Sequence, residues 1–404
     1  MATYRTLENL DAAGKRVLVR VDFNVPMKDG EVTDTTRIER ALPTIEALSR
    51  AGAKVLLLSH MGRPKGKVDP AFSLEPVVEP LRRLLGGGVD FVENCIGEPV
   101  EKAVKRMLDG DVAVLENTRF HKGEEANDEA FARALAENAD LYVNDAFSAA
   151  HRAHASTEGL AHILPSTAGL AMEKELDYLK AALSAPERPM MAVVGGAKVS
   201  TKIELLLNLV GKADMLAVGG GMANTFLFAK GVSVGKSLCE PDLAETARDI
   251  MAQAAASNCE IILPTDVVVA KEFKENADRE VLSAENVAVD DMILDLGPEA
   301  VNFLAEKMET TKTLVWNGPL GAFETPPFDT ATVEAARFAA RMVEEKGLVA
   351  VAGGGDTVAA LKHAHVLSDF SYVSTAGGAF LEWLEGKTLP GVAALKANAT
   401  EAEQ

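Results

Sequence analysis

Twelve short apolar runs, separated by segments long enough to be helices, constrain this chain more than any single motif. The first half carries them at 17–23, 53–59, 89–92, 112–117 and 141–147. The second half carries them at 190–196, 215–221, 261–270, 292–297, 313–318, 347–355 and 370–378. The apolar residues are continuous rather than alternating, as in strands buried on both faces. Ala/Leu/Glu-rich stretches between them, such as 238–257 and 329–346, read as helices. Alternation of this kind predicts parallel sheets with helices on both faces. At 404 residues, two such domains are expected rather than one. The division is placed by 172–183, where Leu176, Leu179 and Leu183 form one helical stripe, followed by the punctuation "SAPERP". The expected architecture is α/β: two doubly wound, Rossmann-like parallel-sheet domains joined by a helical hinge, with a cleft between them. The expected boundaries are 1–170, a hinge at 171–188, and 189–390, with a polar tail at 391–404.

Charge and cysteine usage narrow the setting. A net charge of −19 argues against a nucleic-acid or anionic-membrane surface, so an anionic ligand needs a local basic pocket. Three cysteines, far apart and odd in number, do not form a disulfide framework and fit a reducing compartment. The N-terminal residues hold no apolar core of a secretory signal, and no run approaches the ~18 residues of a membrane span. A cytoplasmic protein is expected.

In open α/β sheets, ligands bind beyond the carboxyl ends of the strands, and those ends differ between the halves. The first half offers Asp22 and Asn24 in "DFN", Arg37 in "DTTRI", His60 and Arg63 in "SHMGRP", and Arg119 in "ENTRF". His151, Arg152 and His154 follow in "NDAFSAAHRAH". Any one surface arginine commonly forms only a weak ion pair. Several at strand ends in an acidic protein form an anion pocket, because the guanidinium fork binds two oxygens at once. The second half offers glycines instead, in "GGAK", "GGGMANTF", "DLGP", "WNGPLGAFE" and "GGGDT". Such turns let backbone N–H groups approach a phosphate where a helix begins. Asp356 is a hard oxygen ligand suited to Mg²⁺ on phosphates, and Thr357 is placed to cap a helix or touch a phosphate. "VVGGAKVSTK" fails the phosphate-loop template, as does "VGKS". If "AKVSTK" begins a helix, Lys198 and Lys202 lie at i, i+4 on one face, a repulsion that a bound anion would relieve. The histidine pairs at 151–154 and 363–365 lack further ligands for a metal, and no nucleophile elbow is present. An anion pocket in one half and a phosphate surface with a Mg²⁺ carboxylate in the other point to phosphoryl transfer.

The segments "RVDFNVP", "SHMGRP", "ENTRF", "AAHRAHAS", "GGAKVSTK", "GGGMANTF", "WNGPLGAFE", "GGGDT" and "STAGGAFLEWLEGKTLPG" together resemble the phosphoglycerate kinase family in its bacterial style, in the same order over about residues 16–391. The resemblance implies reversible phosphoryl transfer between 1,3-bisphosphoglycerate and ADP, giving 3-phosphoglycerate and ATP with Mg²⁺, in glycolysis or gluconeogenesis. It implies that Asp22, Asn24, Arg37, His60, Arg63, Arg119 and Arg152 hold the phosphoglycerate in the N-terminal domain. Gly195, Lys198, Lys202, Gly220, Gly297, Asn317, Glu324, Gly353, Gly354, Gly355, Asp356 and Thr357 would hold the nucleotide in the C-terminal one. Glu324 matches the ribose contact and Asp356 the Mg²⁺ contact. Arg37 and Lys198 match the residues flanking the transferring group. A monomer is implied, with its C-terminus packed on the N-terminal domain. The acceptor is a carboxylate of unperturbed pKa about 4, already ionised at neutral pH, so the lack of a general base is consistent. Two other readings compete with this one. A non-catalytic nucleotide sensor is disfavoured by the joint presence of Arg37, Lys198, Lys202 and Asp356. An acyl-phosphate kinase for another acid is disfavoured by the full arginine set with His60.

Overall fold

In the computed structural model, which describes residues 4–401, the chain folds into two compact units. One runs through Leu176 and takes up the chain again from Thr388; the other spans Asp177–Lys387. Helix Leu170–Leu183 carries the chain from the first to the second. The leucines of its stripe, Leu176, Leu179 and Leu183, are buried.

The first unit is built on six strands: β1 (Arg16–Arg20), β2 (Lys54–Leu58), β3 (Val89–Val92), β4 (Val112–Leu115), β5 (Leu141–Asn144) and β6 (Ser166–Ala168). They pair in the order β3-β4-β2-β1-β5-β6, all parallel. The continuous apolar runs follow from this geometry, because successive side chains point to opposite faces and both faces are covered. Val17, Val19, Val55, Leu57, Val114 and Val143 enter the core on one side. Leu18, Leu56, Leu58, Ala113, Leu115 and Tyr142 enter the core on the other. That second core also takes in Ala394 from helix Pro390–Glu401, whose Gly391 N–H donates to the Ala150 carbonyl at 2.9 Å.

The second unit has a parallel sheet of β7 (Met190–Val194), β8 (Met215–Val218), β9 (Glu260–Ile262), β13 (Thr313–Asn317), β14 (Val349–Gly353) and β15 (Tyr372–Ser374), in the order β9-β8-β7-β13-β14-β15. Three further strands, β10 (Asp266–Ala270), β11 (Arg279–Ser283) and β12 (Met292–Leu296), form a separate antiparallel sheet ordered β11-β10-β12. This corrects two expectations. The apolar run at 261–270 is two strands in different sheets, parted at Pro264, which has no N–H for a ladder. The run at 292–297 joins the antiparallel sheet instead of the parallel one. β11 is not among the expected strands, because its residues are mostly exposed and its sequence REVLS lacks an apolar run.

In each parallel sheet the strand order reverses beside its first strand, between β1 and β5 and between β7 and β13. Crevices at such reversals open at the carboxyl ends of the strands.

Candidate active site

The basic residues of the first unit converge at the carboxyl ends of β1, β2, β4 and β5. Asp22 follows β1 and accepts from Arg37 Nη1 at 2.8 Å and from the Ser148 hydroxyl. Arg37 sits in the first turn of helix Thr36–Arg50 and also donates to the Asn24 carbonyl at 3.1 Å. Asn24 Oδ1 accepts from the Gly62 N–H at 2.9 Å, which ties the "MGRP" turn to the end of β1. The Gly62 carbonyl in turn accepts from Arg119 Nη1 at 2.7 Å. Arg63, next in the chain, is exposed and forms no ion pair among the described residues.

The deeper layer is more unusual. Arg20 ends β1 with 1 % of its surface exposed, and its Nη2 lies 2.9 Å from His60 Nδ1. A guanidinium only donates, so Nδ1 of His60 is the acceptor. His60 is itself buried, and its pKa lies well below the usual imidazole value. Burial is the first cause, and the charges of Arg20, Arg119 and Arg152 add to it. His154 is pushed down to about 4 by burial and then by the same three arginines. Burial also lowers Arg119 to about 10, against the pull of Glu125, whose Oε1 lies 3.3 Å from Nε. The structure therefore brings Asp22, Asn24, Arg37, His60, Arg119 and Arg152 into one linked cluster of positive potential. Sequence reasoning missed Arg20 and the buried Glu124; the available signal was a cation closing the otherwise apolar strand VLV.

In the second unit the strand ends approach one another closely. A Cβ on Gly195 would lie 1.8 Å from the Pro319 carbonyl oxygen, so only glycine lets the β7 and β13 turns meet. Lys202 Nζ donates to the Gly195 carbonyl at 2.7 Å and contacts the Asn317 carbonyl at 3.3 Å. Burial lowers its pKa to about 8, while the charge of Asp356 opposes that shift. Lys198 is exposed in an extended conformation just before a 3₁₀ turn, Val199–Thr201. The expected helical i, i+4 pair is thus corrected: the α-helix starts only at Ile203, because Lys202 leaves helical geometry to reach back over the strand ends. Glu240 holds the intervening turn, accepting from the Ser200 N–H at 3.0 Å and from its hydroxyl.

Asn317 Nδ2 donates to the Gly353 carbonyl at 2.8 Å, and the Thr357 hydroxyl accepts from the Gly318 N–H at 2.7 Å. Both side chains are buried and lock β13 to the start of helix Gly355–His363. Gly354 precedes that helix, and Gly355 and Asp356 open its exposed first turn. Beside these loops is a cavity of ≈ 600 Å³, lined by Gly196, Gly220, Leu238, Phe323, Glu324 and Asp356 among others. Gly220, Glu324 and Asp356 are the expected nucleotide residues that reach this cavity. Gly297 does not line it. A Cβ there would fall 2.2 Å from the Asp266 carboxylate, which caps the N-terminus of helix Pro298–Thr310 through Glu299 and Ala300 N–H groups. The apolar lining, including Leu238, Met292, Leu294 and Phe323, was not legible as one surface because it is drawn from separate loops and the antiparallel sheet, although Phe323 lies in "WNGPLGAFE" and Met292 and Leu294 in the 292–297 run.

Among the described residues, no group of three or more His, Cys, Asp or Glu side chains could hold a metal ion, and no helix is long and apolar enough to cross a membrane. A lone carboxylate such as Asp356 fits Mg²⁺ carried on nucleotide phosphates, since Mg²⁺ keeps several waters and needs only one or two protein oxygens.

The family model described as "Phosphoglycerate kinase" matches residues 7–387. The phosphoglycerate kinase of Maricaulis maris is 62% identical over 395 residues, covering 98% of both chains. That of a Chelativorans species is 63% identical over 397 residues, covering 98% of this chain and 100% of its own. Among solved structures, the phosphoglycerate kinase of Coxiella burnetii superposes with a TM-score of 0.92 at 43% identity, covering 98% of this chain and 100% of the other. That of Pyrococcus horikoshii gives 0.80 at 30% identity, covering 98% and 99%. Motifs, sheet topology and full-length similarity agree, and the chain belongs to the phosphoglycerate kinase family.

Proposed function

We propose that the chain transfers a phosphoryl group reversibly from 1,3-bisphosphoglycerate to ADP, with the carboxyl group of 3-phosphoglycerate as the acceptor in the reverse direction. It is a kinase of glycolysis, as its full-length relatives are named. The observation that carries the reading is the pairing of a guanidinium-rich cluster on one unit with lysine-bearing glycine turns on the other.

Arg63, Arg119 and Arg152 hold the phosphate of the phosphoglycerate, and His60 donates a hydrogen bond to it. Arg37, set by Asp22, stands beside the carboxyl group. Gly195, Lys202, Asn317 and the Gly353, Gly354, Gly355 and Thr357 turn present the nucleotide phosphates with backbone and lysine donors, while Glu324 takes the ribose at the apolar cavity. Mg²⁺ held by Asp356 would supply charge neutralisation on those phosphates. Lys198 follows the transferring group, where a cation offsets charge that develops on the equatorial oxygens. Transfer is direct and in line. With one substrate on each unit, the units must close until the reacting atoms are about 3–3.5 Å apart, excluding water. Helix Leu170–Leu183 and its flanks serve as the hinge. The protein acts as a cytoplasmic monomer without nucleic-acid or membrane partners. Its three cysteines are free, which suits a reducing compartment.

A coupled assay tests this: ATP consumption is measured with 3-phosphoglycerate, and with acetate or carbamate in its place. Turnover with 3-phosphoglycerate alone, abolished by chelation of Mg²⁺, is expected; no turnover with it sinks the reading.

A further inference from the structure

We propose that Arg20 and Glu124 are positioning residues that fix His60 as a neutral imidazole with its proton on Nε2, so that it meets the phosphoglycerate as a directed hydrogen-bond donor and not as a cation. The proposal rests on the reading of His60 as a substrate contact. Its basis is a buried chain of partners that the transfer chemistry does not use. Arg20 Nη2 meets His60 Nδ1 at 2.9 Å, Nη1 donates to the Val21 carbonyl, and Nε donates to the Ser156 hydroxyl at 2.9 Å. The Ser156 hydroxyl donates its own proton to Glu124 Oε1, and the Ser156 N–H donates to Oε2 at 2.9 Å. Glu124 is fully buried, in the short helix Lys122–Glu125.

A buried guanidinium is costly unless paired and hydrogen-bonded, and Glu124 is the carboxylate that offsets it through Ser156. Held in this way, Arg20 occupies the Nδ1 lone pair and leaves Nε2 as the ring's only donor. Protonating Nδ1 would set two donors against each other at hydrogen-bond distance. The other charged groups around His60 push the same way: Arg119 and Arg152 repel a second positive charge, and His154 stays neutral beside them. Glu124 acts on His154 as well, with Oε1 3.9 Å from its Nδ1. A cationic imidazole of ordinary pKa would fade as a contact as pH rises past about 6.5. A fixed neutral donor gives the pocket a pH-independent contact.

Long-range ¹⁵N correlation spectra of the full chain, with His60 assigned by difference from His60→Gln, are expected to show Nε2 protonated and Nδ1 bare from about pH 8 to about pH 5. A protonated Nδ1, or titration within that window, overturns the proposal and needs no folded variant of Arg20. Arg20→Met is expected to release both tautomers and let His60 titrate in the window. KM for 3-phosphoglycerate then rises about tenfold at pH 8 and becomes pH-dependent, with kcat within about twofold. Arg20→Lys restores a donor to Nδ1 and part of the KM, and Glu124→Gln moves KM in the Arg20→Met direction by less. An unchanged His60 tautomer in Arg20→Met overturns the proposal. An unchanged KM in His60→Gln and His60→Ala removes the substrate reading instead, while the spectra still decide the tautomer.

Discussion

In the first unit the strand ends present charge on arginine side chains; in the second they present backbone dipoles together with the Lys202 ammonium. The difference shows in what each must supply. Buried or half-buried guanidinium groups need counter-charges, and Asp22, Glu124 and Glu125 stand against Arg37, Arg20 and Arg119. Backbone N–H groups need no counter-ion but require turns without bulk, and at Gly195 the missing side chain lets the β7 turn meet the Pro319 carbonyl of the β13 turn. The first design suits a small ligand with two anionic ends at fixed spacing. The second suits a polyphosphate whose oxygens are spread along several strand ends, with an apolar cavity for the nucleoside attached to it.

The largest test of this contrast is Lys198→Ala. Lys198 is exposed and outside the strand-end lattice, so its removal is expected to lower kcat by roughly a thousandfold with little change in nucleotide KM. A near-normal kcat would show that the backbone side needs no mobile cation. Arg63→Ala comes next: KM for 3-phosphoglycerate is expected to rise about tenfold or more with kcat less affected, because an unpaired guanidinium is available for the ligand. Steady-state kinetics with an unchanged KM would place the anion pocket elsewhere.

Lys202 gives a pH test of the second unit. Its pKa is lowered by burial to about 8, so the free protein loses this cation as pH rises through about 8. A bound phosphate favours the charged form, so nucleotide binding takes up a proton above that pH. Nucleotide KM is expected to rise between about pH 8 and pH 9.5 in the parent and to lose that rise in Lys202→Met; calorimetry in buffers of different ionisation enthalpy counts the proton.

The smallest effect is one of stability. Asp145, at the end of β5, accepts from Ala171 and Met172 N–H groups at the start of the connecting helix. Burial raises its pKa to about 7, above the unfolded value. Folding therefore takes up a proton between about pH 4 and pH 7, and stability falls as pH rises through that window. Asp145→Asn keeps an acceptor and is expected to flatten that slope while changing stability at pH 5 by no more than about 1 kcal/mol. Denaturant melts at pH 5 and pH 8 would decide; an unaltered slope would mean that Asp145 ionises freely.

Much of this was legible in the sequence, for a physical reason. Strands buried on both faces write continuous apolar runs, so most of the parallel strands, such as β1, β7 and β13, could be read directly. Their carboxyl ends then pointed to Asp22, Arg119, Asn317 and Asp356. The antiparallel sheet was not legible, because β10 shares one apolar run with β9 and β11 is largely exposed. The lysine pair misled because spacing alone assumes a helix, whereas Lys202 is drawn back to two carbonyls before the helix starts. Gly297 also leaves room for the Asp266 cap, a packing role that its place in a glycine turn does not announce. The Arg20–Ser156–Glu124 chain joins residues more than a hundred positions apart, which no local pattern records.

The return of the chain at Thr388 has a consequence during synthesis. The second unit is an insertion within the first, and the core behind Leu18 and Leu56 remains open until Ala394 has been made. Domains fold as units while the chain emerges N-terminus first. The second unit is contiguous from Asp177 to Lys387, whereas the first needs residues from both sides of it. The ribosome therefore finishes first the half of the molecule that it started second.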